Sequence, residues 1–415
     1  MKVDAVVLGA GMVGVSCALH LQARGRSVVL VDRRGAAEET SLGNGGLIQK
    51  EGVYPYGFPH DFGALVRYGL NRTIDAHYHP SALPKIAPFL TKYWIHSREK
   101  RHAEIARLYS RLIEHCVAEH DMLAAQAGAP ATSLMKRGGW MRIFRTEGER
   151  DKRFAEAEKW KQEFGVNYRA LDAKALQEAE PHLAPILTGA LHWTDPVSVT
   201  DPQGLALAYL KLFESRGGRF IQGNAMSLLQ EKEGWSMRTV EGPLQAGAAV
   251  LALGPWADVV TRGLGYDLPL AVKRGYHMHY RPAGKAMLNH PVLDTERGYL
   301  LAPMVKGIRL TTGAEFALRD AIRTPVQLGR AEPLARELFP LAERVDAEPW
   351  MGSRPCTPDM MPIIGPAPRH PGLWFAFGHA HHGFTLGPVT GRLIGEMIAG
   401  EAPFVDPKPY RADRF

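Results

Sequence analysis

The first residues of the chain alternate between apolar runs and glycine-rich turns. Residues 3–8 form an apolar run that only Asp4 interrupts, and this pattern predicts a buried parallel strand. Residues 12–24 place apolar side chains at helical spacing, and Gly25 is expected to end that helix. Residues 27–31 form a second apolar run, which we interpret as the next strand. A strand, a helix and a second strand in this order predict the start of an α/β domain.

The rest of the chain continues this mixture of helical and strand-like patterns. Proline-punctuated, mainly helical structure is predicted over 58–127. Further helices are predicted over 102–128, 148–164 and 201–218 and from Leu386 onward, and strands over 138–146, 219–223, 248–254, 275–282 and 297–316. The fold class indicated by these patterns is α/β, with the C-terminal part returning to the style of the N-terminal part.

Three glycines follow the first predicted strand at the spacing of a dinucleotide-binding turn. Gly9 would make the tight turn, Gly11 would let the backbone approach a phosphate, and Gly14 would let the helix pack on the strand. Asp32 lies 18 residues beyond Gly14, at the end of the second strand. Its carboxylate can accept hydrogen bonds from ribose hydroxyls and would repel a 2′-phosphate. The triad therefore favours FAD or NAD over NADP, whereas a purely structural turn is the simpler alternative.

Composition limits the class of protein. A chain of 415 residues can bury a large core and form two domains. Hydrophobic residues make up 45% of it and charged residues 22%, as in globular proteins. The apolar runs are too short to span a membrane, and the chain enters its first strand at once, so no signal peptide is expected. Three cysteines are too few for a disulfide framework and indicate the reducing cytoplasm.

The charge balance gives a weaker indication of partners. A net charge of +7 favours an anionic substrate or peripheral contact with the anionic inner face of a membrane. Ordinary solubility charge is the simpler explanation of the same value. Basic clusters interleaved with stacking aromatic residues do not occur, so a nucleic-acid partner is not expected.

Five motifs then occur in a fixed order along nearly the whole chain. They are "VVLGAGMVGVSCALHLQARGRSVVLVD", "ETSLGNGG", "LALGPWA", "GSRPCTPDMMPIIG" and "GHAHHGFTLGPVTGRLIGEMI". Together they resemble the family of FAD-dependent D-amino acid dehydrogenases and glycine oxidases, most strongly at the two ends. The segments "GIRLTTGAEFA" and "WMGSRP" are also similar to glyphosate oxidoreductase-type members, which oxidise N-substituted glycines.

The resemblance implies a fold and a division into domains. It implies a glutathione-reductase-like FAD-binding Rossmann domain with an inserted α+β substrate domain. We assign 1–57, 188–265 and 346–415 to the FAD-binding domain. The substrate domain then comprises 58–187, which contains the helical segment, and 266–345.

The same resemblance implies which residues hold the cofactor, here FAD. The residues expected at its ADP half are Gly9, Gly11, Met12, Val13, Gly14, Asp32, Arg33, Leu253, Gly254 and Trp256. Those expected at the pyrophosphate and flavin are Thr40, Ser41, Asn44, Gly45, Gly46, Gly378, His379, His381, His382, Gly383, Phe384 and Thr385. Backbone N–H groups of 383–385, at the start of the C-terminal helix, would stabilise negative charge on the flavin.

Two nearby features invite other chemistry. The histidines of "HAHH" suggest a metal site, but ligands so close in sequence rarely complete one and no cysteine or acid cluster accompanies them, so no metal is expected. His382 could serve packing alone. Cys356 suggests a covalent flavin link, but its offset from the following "TPD" differs from that of the linking cysteine in the wider family. Noncovalent FAD is therefore expected.

Four residues are expected to contact the substrate. The resemblance implies that Arg354 grips a carboxylate with a bidentate fork, although an interdomain salt bridge is the alternative. It also implies a catalytic role for the Tyr299 hydroxyl beside that carboxylate, with core packing as the alternative. Tyr276 and His277 are further candidates for the substrate pocket.

The reaction implied is oxidation of a D-amino acid at its Cα–N bond, giving a 2-oxo acid and ammonia. A first alternative is oxidation of secondary amino acids such as sarcosine, glyphosate or D-hydroxyproline. An NAD-dependent dehydrogenase and a non-catalytic flavin-binding subunit are the alternatives from other classes. The partner is thus a small amino acid, and the sequence leaves the electron acceptor open between oxygen and the respiratory chain with its quinones.

Overall fold

A computed structural model describes all residues from 1 to 415. Its strands are β1 Lys2–Leu8, β2 Val28–Asp32, β3 Leu47–Ile48, β4 Ala76–Tyr78, β5 Met135–Arg137, β6 Trp140–Phe144, β7 Tyr168–Asp172, β8 Gly189–Trp193, β9 Val197–Val199, β10 Arg219–Gln222, β11 Leu229–Gln230, β12 Trp235–Thr239, β13 Gly242–Leu251, β14 Ala271–Pro282, β15 Val292–Asp294, β16 Tyr299–Met304, β17 Gly307–Thr312, β18 Ala314–Phe316, β19 Leu341–Arg344, β20 Trp350–Cys356, β21 Ile363–Pro366 and β22 Leu373–Phe377.

The helices lie between these strands. They are α1 Met12–Gln22, α2 Phe62–Gly69, α3 Leu83–His96, α4 Glu99–Ile113, α5 Cys116–Ala127, α6 Ala129–Thr132, α7 Glu147–Phe164, α8 Ala173–Ala179, α9 Pro202–Ser215, α10 Ala257–Gly263, α11 Val326–Leu338 and α12 Gly387–Ala399. None of them is both long enough and apolar enough to cross a membrane.

The first sheet has eight strands and a parallel centre. Strands β10, β2, β1, β13 and β22 run parallel side by side, and β12 and β21 add antiparallel partners. Their apolar residues are buried on both faces, as expected of a parallel sheet. The register sets Leu8 beside Val31 and Leu251, so β1, β2 and β13 end at the same edge. Ligands of open α/β sheets bind outside this carboxyl edge.

Two helices cover one face of this sheet and cross closely. Glycines of α12 lie against the backbone of α1: a Cβ at Gly391 would be 2.5 Å from the carbonyl oxygen of Ser16. At Gly387 a Cβ would be 2.6 Å from Cγ of Met12. This glycine spacing lets the helices approach so that both N-termini point toward the same edge of the sheet.

The second sheet is larger and mainly antiparallel. Its eleven strands follow the order β4-β18-β14-β17-β16-β15-β6-β8-β7, and β19 and β20 also pair with β14. Helix α11 packs on one face, where Tyr299, Met278 and Leu338 share a core. Strands β3, β9 and β5 form a third, three-stranded sheet. The predicted α/β class with an inserted sheet-and-helix region is confirmed.

Sheet membership differs from the predicted domain boundaries in two places. Strand β8 lies between β6 and β7 in the larger sheet, and β20 pairs with β14 there over seven residues. Both strands were assigned to the FAD-binding domain from their place in the sequence. The predicted helix over 102–128 is also divided, into α4 and α5, whose buried residues share one core.

Candidate active site

One large cavity is lined by residues from both large sheets. Its volume is about 1410 Å³, and it extends from Gly9 at the carboxyl edge of the first sheet to Arg354 on the second. Pockets for small ligands are typically about 300–1,000 Å³. The cavity therefore has room for a dinucleotide together with a small substrate.

The turn after β1 is shaped for close approach of a ligand to the backbone. Gly9 has a φ of +104°, and a Cβ there would lie 2.4 Å from the carbonyl oxygen of Ala252. A Cβ at Gly14 would lie 1.7 Å from the carbonyl oxygen of Gly9, so only glycine lets α1 pack this closely on the strand. Gly11, which precedes α1, supplies no side-chain cap. The loop thus offers N–H groups and the positive end of a helix dipole, which fit a pyrophosphate.

Asp32 ends β2 beside this turn and borders the cavity. Its Oδ2 accepts a hydrogen bond from the Ala10 N–H at 2.8 Å, and its Oδ1 accepts one from the Arg34 N–H at 3.2 Å. These bonds fix the carboxylate, whose remaining lone pairs can accept from ribose hydroxyls. The negative charge opposes a 2′-phosphate, so the site fits FAD.

The segment after β13 carries Trp256, which borders the cavity. The Arg33 guanidinium lies 5.0 Å from the centre of the Trp256 ring, at the distance of a cation–π contact. Leu253 and Gly254 come just before this ring and also border the cavity. All four lie near Asp32, where the adenosine end of the cofactor is expected.

The glycine-rich loop after β2 is held between the two sheets. Ser41 Oγ accepts from the Met12 N–H at 3.0 Å, which joins the loop to the start of α1. Thr40 Oγ1 donates to the carbonyl oxygen of Ser353 at 3.1 Å, which joins it to β20. Asn44 Oδ1 accepts from the Gly46 N–H at 2.9 Å. The loop therefore crosses from the dinucleotide turn to the strand that carries Arg354.

The C-terminal motif contributes buried histidines with separate partners. His379 Nε2 lies 2.9 Å from Thr390 Oγ1, and His382 Nδ1 lies 2.7 Å from the Tyr109 hydroxyl. Burial lowers the pKa of both His379 and His382 to about 3, so both rings are neutral. His381 faces the cavity, and its ring centre is 4.6 Å from that of Tyr56. The ring centres of His381 and His382 are 3.8 Å apart, whereas His379 and His382 bond to different partners.

Most residues predicted to hold the cofactor border the cavity. They are Gly9, Gly11, Met12, Val13, Asp32, Arg33, Thr40, Ser41, Asn44, Gly45, Leu253, Gly254, Trp256, His379, His381, Gly383 and Phe384. Gly14, Gly46, Gly378, His382 and Thr385 lie behind this lining. Thr385 Oγ1 donates to the carbonyl oxygen of Leu47 at 3.1 Å, so it ties α12 to β3. The ring of His382 turns toward Tyr109, which fits the packing role.

Arg354 presents a free edge of its guanidinium to the cavity. Its Nη1 donates to the carbonyl oxygens of Gly313 at 3.1 Å and Arg274 at 3.4 Å. No carboxylate forms a salt bridge with it, which removes the interdomain ion pair as an explanation. Burial lowers the pKa of Arg354 below its usual range. The guanidinium lies over Gly275, where a Cβ would be 2.6 Å from Nη2. The missing side chain of Gly275 and the two backbone carbonyls thus orient the Arg354 guanidinium toward the cavity.

The two further candidates for the substrate pocket differ in position, because Tyr276 borders the cavity and His277 does not. The Tyr276 hydroxyl donates to Glu315 Oε2 at 3.0 Å and accepts from the Thr324 N–H at 2.8 Å. His277 stacks on Trp350 with ring centres 4.8 Å apart and does not reach the cavity lining.

Tyr299 also borders the cavity, but its hydroxyl is bonded within the protein. Its hydroxyl donates to the carbonyl oxygen of Leu334 in α11 at 3.1 Å, and its ring belongs to the core under that helix. The next residue, Leu300, faces the glycine-rich loop instead, 3.1 Å from where a Cβ of Gly45 would lie. The bond to α11 and the shared core fit the core-packing alternative, and the catalytic role of Tyr299 stays a prediction.

Lys273 and an aromatic group around it were missed by the sequence reasoning. Lys273 lies opposite Arg354 in the β14–β20 pair and borders the cavity with Tyr93, Phe316 and Tyr56. Strand β14 begins at Ala271, four residues before its predicted start. Extending the strand alternation backward by two positions from Gly275 would have placed Lys273 on the cavity face. Its position beside Arg354, however, follows only from the pairing of β14 with β20.

Cys356 is an inert neighbour of this site. Its thiol donates to the carbonyl oxygen of Arg354 at 3.4 Å, and burial raises the pKa of the thiol. A protonated thiol is a poor nucleophile. This environment supports noncovalent attachment of the cofactor.

Comparison with known proteins agrees with the geometry. The family model described as DAO, FAD dependent oxidoreductase, matches residues 4–397. The D-amino-acid oxidase of Bradyrhizobium diazoefficiens is 28% identical over 99% of this chain and 98% of its own. A D-amino acid dehydrogenase of Methylobacterium radiotolerans is 30% identical, with 96% of each chain covered.

Solved structures share the same fold at lower identity. The glycine oxidase from Geobacillus kaustophilus superposes with a TM-score of 0.76 at 21% identity, covering 100% of this chain and 99% of that one. The iminodiacetate oxidase from Chelativorans sp. BNC1 gives a TM-score of 0.74 at 20% identity, covering 99% of both chains. With a dinucleotide turn, a fixed Asp32 and a family match over nearly its whole length, the chain belongs to the DAO family of FAD-dependent oxidoreductases and uses FAD as its cofactor.

Proposed function

We propose that this oxidoreductase oxidises the Cα–N bond of a D-amino acid. The imino acid formed would hydrolyse to a 2-oxo acid and ammonia. The observation that carries the proposal is the Arg354 guanidinium, which borders the cavity without a carboxylate partner. A half-buried cation without a partner favours binding of an anion. The carboxylate of an amino acid supplies one.

Arg354 binds and orients the substrate. Because Nη1 is held by two backbone carbonyls, the edge formed by Nε and Nη2 remains for a bidentate pair of hydrogen bonds with a carboxylate. Two parallel bonds fix the direction of the Cα–H bond, and this positioning lowers the barrier. Bound FAD supplies the acceptor for the hydride that leaves Cα.

The surrounding side chains favour the reactive form of the amine. Burial, together with His382, Arg354 and Lys273, holds the pKa of His381 well below its usual range, so that ring stays neutral. The same two cations disfavour an ammonium group in the cavity. The substrate nitrogen is thereby favoured in its neutral form, whose lone pair drives departure of the hydride.

The D configuration is supported by the names of the relatives. The two relatives compared above, at 28% and 30% identity, are both named for D-amino acids. Once the carboxylate is pinned at Arg354, only one enantiomer can direct its α-hydrogen at the cofactor while seating its side chain. A primary D-amino acid is therefore our proposed substrate. Secondary amino acids such as N-alkyl glycines are the second candidate.

Anaerobic bleaching of the bound flavin tests this proposal without requiring a known electron acceptor. The purified protein is mixed with D-amino acids, their L enantiomers and N-alkyl glycines, and the loss of flavin absorbance is followed. We expect D-amino acids to bleach the flavin fastest. Faster bleaching by L enantiomers would contradict the stereochemistry, and faster bleaching by N-alkyl glycines would favour the second candidate. Bleaching by none of them would leave a non-catalytic flavin-binding subunit.

A further inference from the structure

A buried cation, Lys273, lies beside the half-buried Arg354. Lys273 lies directly opposite Arg354 in the antiparallel pair of β14 and β20, so both side chains leave the same face of the sheet. Directly opposed residues have Cβ atoms about 4.5–5.5 Å apart. Both residues border the cavity. One small molecule can therefore contact both cations.

Aromatic faces hold the Lys273 ammonium in place. Its Nζ lies 3.9 Å from the centre of the Tyr93 ring and 5.4 Å from that of Phe316, and it is 3.7 Å from Sδ of Met360. The residue is only 7% exposed. Lysine at this degree of burial is normally paired with an acid. The aromatic and sulfur contacts position the charge but do not neutralise it.

Neither Lys273 nor Arg354 forms a salt bridge with an acidic side chain. Burial raises the pKa of the neighbouring Cys356 thiol and lowers the pKa of His381, so neither group supplies a negative charge. Asp75, which also borders the cavity, accepts a hydrogen bond from the Tyr68 hydroxyl at 2.7 Å. The nearby Glu315 is engaged by Arg274 at 2.5 Å on the opposite face of the sheet. Two like charges so close together destabilise each other unless anions lie against both.

We propose that the substrate carries a second anionic group, a side-chain carboxylate or a phosphonate, which Lys273 binds while Arg354 binds the α-carboxylate. This rests on the proposed function and defines its substrate class as acidic amino acids. The planar fork of Arg354 suits the carboxylate that must be oriented. The compact ammonium of Lys273 suits a terminal acid group that needs only to be anchored.

Matched acid and amide substrates test the role of the charge. D-Glutamate, D-glutamine and D-2-amino-4-phosphonobutanoate are compared by the anaerobic rate of flavin reduction at low substrate concentration. We expect the wild type to prefer an acid over the amide by about tenfold or more, since hydrogen bonds between charged groups are the strong ones. The acid that is preferred identifies the second group as carboxylate or phosphonate. Equal rates for both acids and the amide would overturn the proposal.

Variants of Lys273 separate charge from packing. Lys273→Met keeps the aliphatic stem among the aromatic rings and should lower the acid-to-amide preference toward one, whereas Lys273→Arg should retain most of it. Lys232→Met, at an exposed position, is the matched control and should leave the preference unchanged. FAD content and melting temperature show that each variant is folded. An unchanged preference in Lys273→Met would contradict the proposal.

Binding of unreactive anions gives a readout that does not depend on turnover. Glutarate and butyrate are titrated into the FAD-loaded protein by calorimetry. We expect Lys273→Met to weaken glutarate binding about tenfold or more and butyrate binding less than about threefold. Equal weakening of both would reveal a general electrostatic effect and overturn the proposal. If neutral D-amino acids bleach the flavin but dianions gain nothing from Lys273, the proposed function stands and this inference fails. If no amino acid bleaches the flavin, the proposed function itself fails.

Discussion

The orientations of the Asp32 and Arg354 side chains depend on close contacts with neighbouring backbone atoms. Asp32 is fixed by two backbone N–H groups before any ligand binds, so its charge is already directed at the ribose position. Arg354 is fixed by two carbonyls and by the missing side chain of Gly275. Such preorganisation means that substitutions at these positions should alter function more than stability.

Asp32→Ala should weaken FAD binding without changing substrate preference. The lost carboxylate would accept hydrogen bonds from ribose hydroxyls, and bonds to charged groups contribute about 1.5–3 kcal/mol each. We therefore expect the FAD dissociation constant to rise by about tenfold or more, as measured by titrating the apoprotein. Asp32→Asn, which keeps one acceptor oxygen, should bind with intermediate affinity. A wild-type dissociation constant in the alanine variant would show that Asp32 does not bind the ribose.

Gly275→Ala should disturb the substrate fork while leaving the fold intact. The new methyl group would lie 2.6 Å from Nη2 of Arg354, the mobile end of a side chain, so the guanidinium moves rather than the strand. A displacement of about 1 Å can cost about a hundredfold in rate. We expect slower anaerobic flavin reduction with unchanged FAD content and melting temperature. Gly329→Ala, where a Cβ meets nothing within 4 Å, is the control. Wild-type rates in Gly275→Ala would mean that the position of this guanidinium is unimportant.

At the scale of elements, the pairing of strands decides which segments line the cavity. On β14, Lys273, Gly275 and Tyr276 border it, and the Tyr276 hydroxyl donates to Glu315. The sequence pattern located this strand, but it could not say which face is the cavity face, because that depends on pairing with the distant β20. Tyr299 and Arg354 were predicted to contact the substrate from the family resemblance, and both border the cavity.

The contact between α1 and α12 is the element-scale feature most sensitive to size. Gly391→Ala would place a methyl group 2.5 Å from the carbonyl oxygen of Ser16, in backbone that cannot yield easily. Overpacking of this kind costs about 1–3 kcal/mol. We expect a lower melting temperature and weaker FAD binding, because both helices begin beside the cavity. Gly148→Ala, on a helix with open space around it, should cause neither change. If Gly391→Ala were as stable as the wild type, the two helices would have to be less tightly packed than described.

At the scale of the whole molecule, local pattern and long-range pairing contribute differently. The N-terminal β–α–β unit, the glycine turn and the C-terminal helix are local, and the sequence predicts them within a few residues. The places of β8 and β20 in the larger sheet depend on partners far along the chain, so the predicted domain boundaries separate strands that pair. The cavity is built where these long-range pairings bring the two sheets together, which is why Lys273 was not recognised beforehand.

We expect FAD to be bound noncovalently, and this can be tested on the intact protein. Cys356 is the cysteine that borders the cavity, and burial raises the pKa of its thiol. We expect acid precipitation to release the flavin into the supernatant and to leave a colourless pellet. Flavin that remained with the pellet would contradict noncovalent binding and would direct attention to Cys356.

The central claim is that Arg354 holds the substrate carboxylate, and the anaerobic rate of flavin reduction in Arg354→Lys tests it most directly. Lysine keeps the charge but loses the planar fork that orients the carboxylate. Rapid mixing with D-amino acids should show a rate of reduction about a hundredfold or more below that of the wild type, with unchanged FAD content. Reduction by Arg354→Lys at the wild-type rate would contradict the account and assign the carboxylate to another residue.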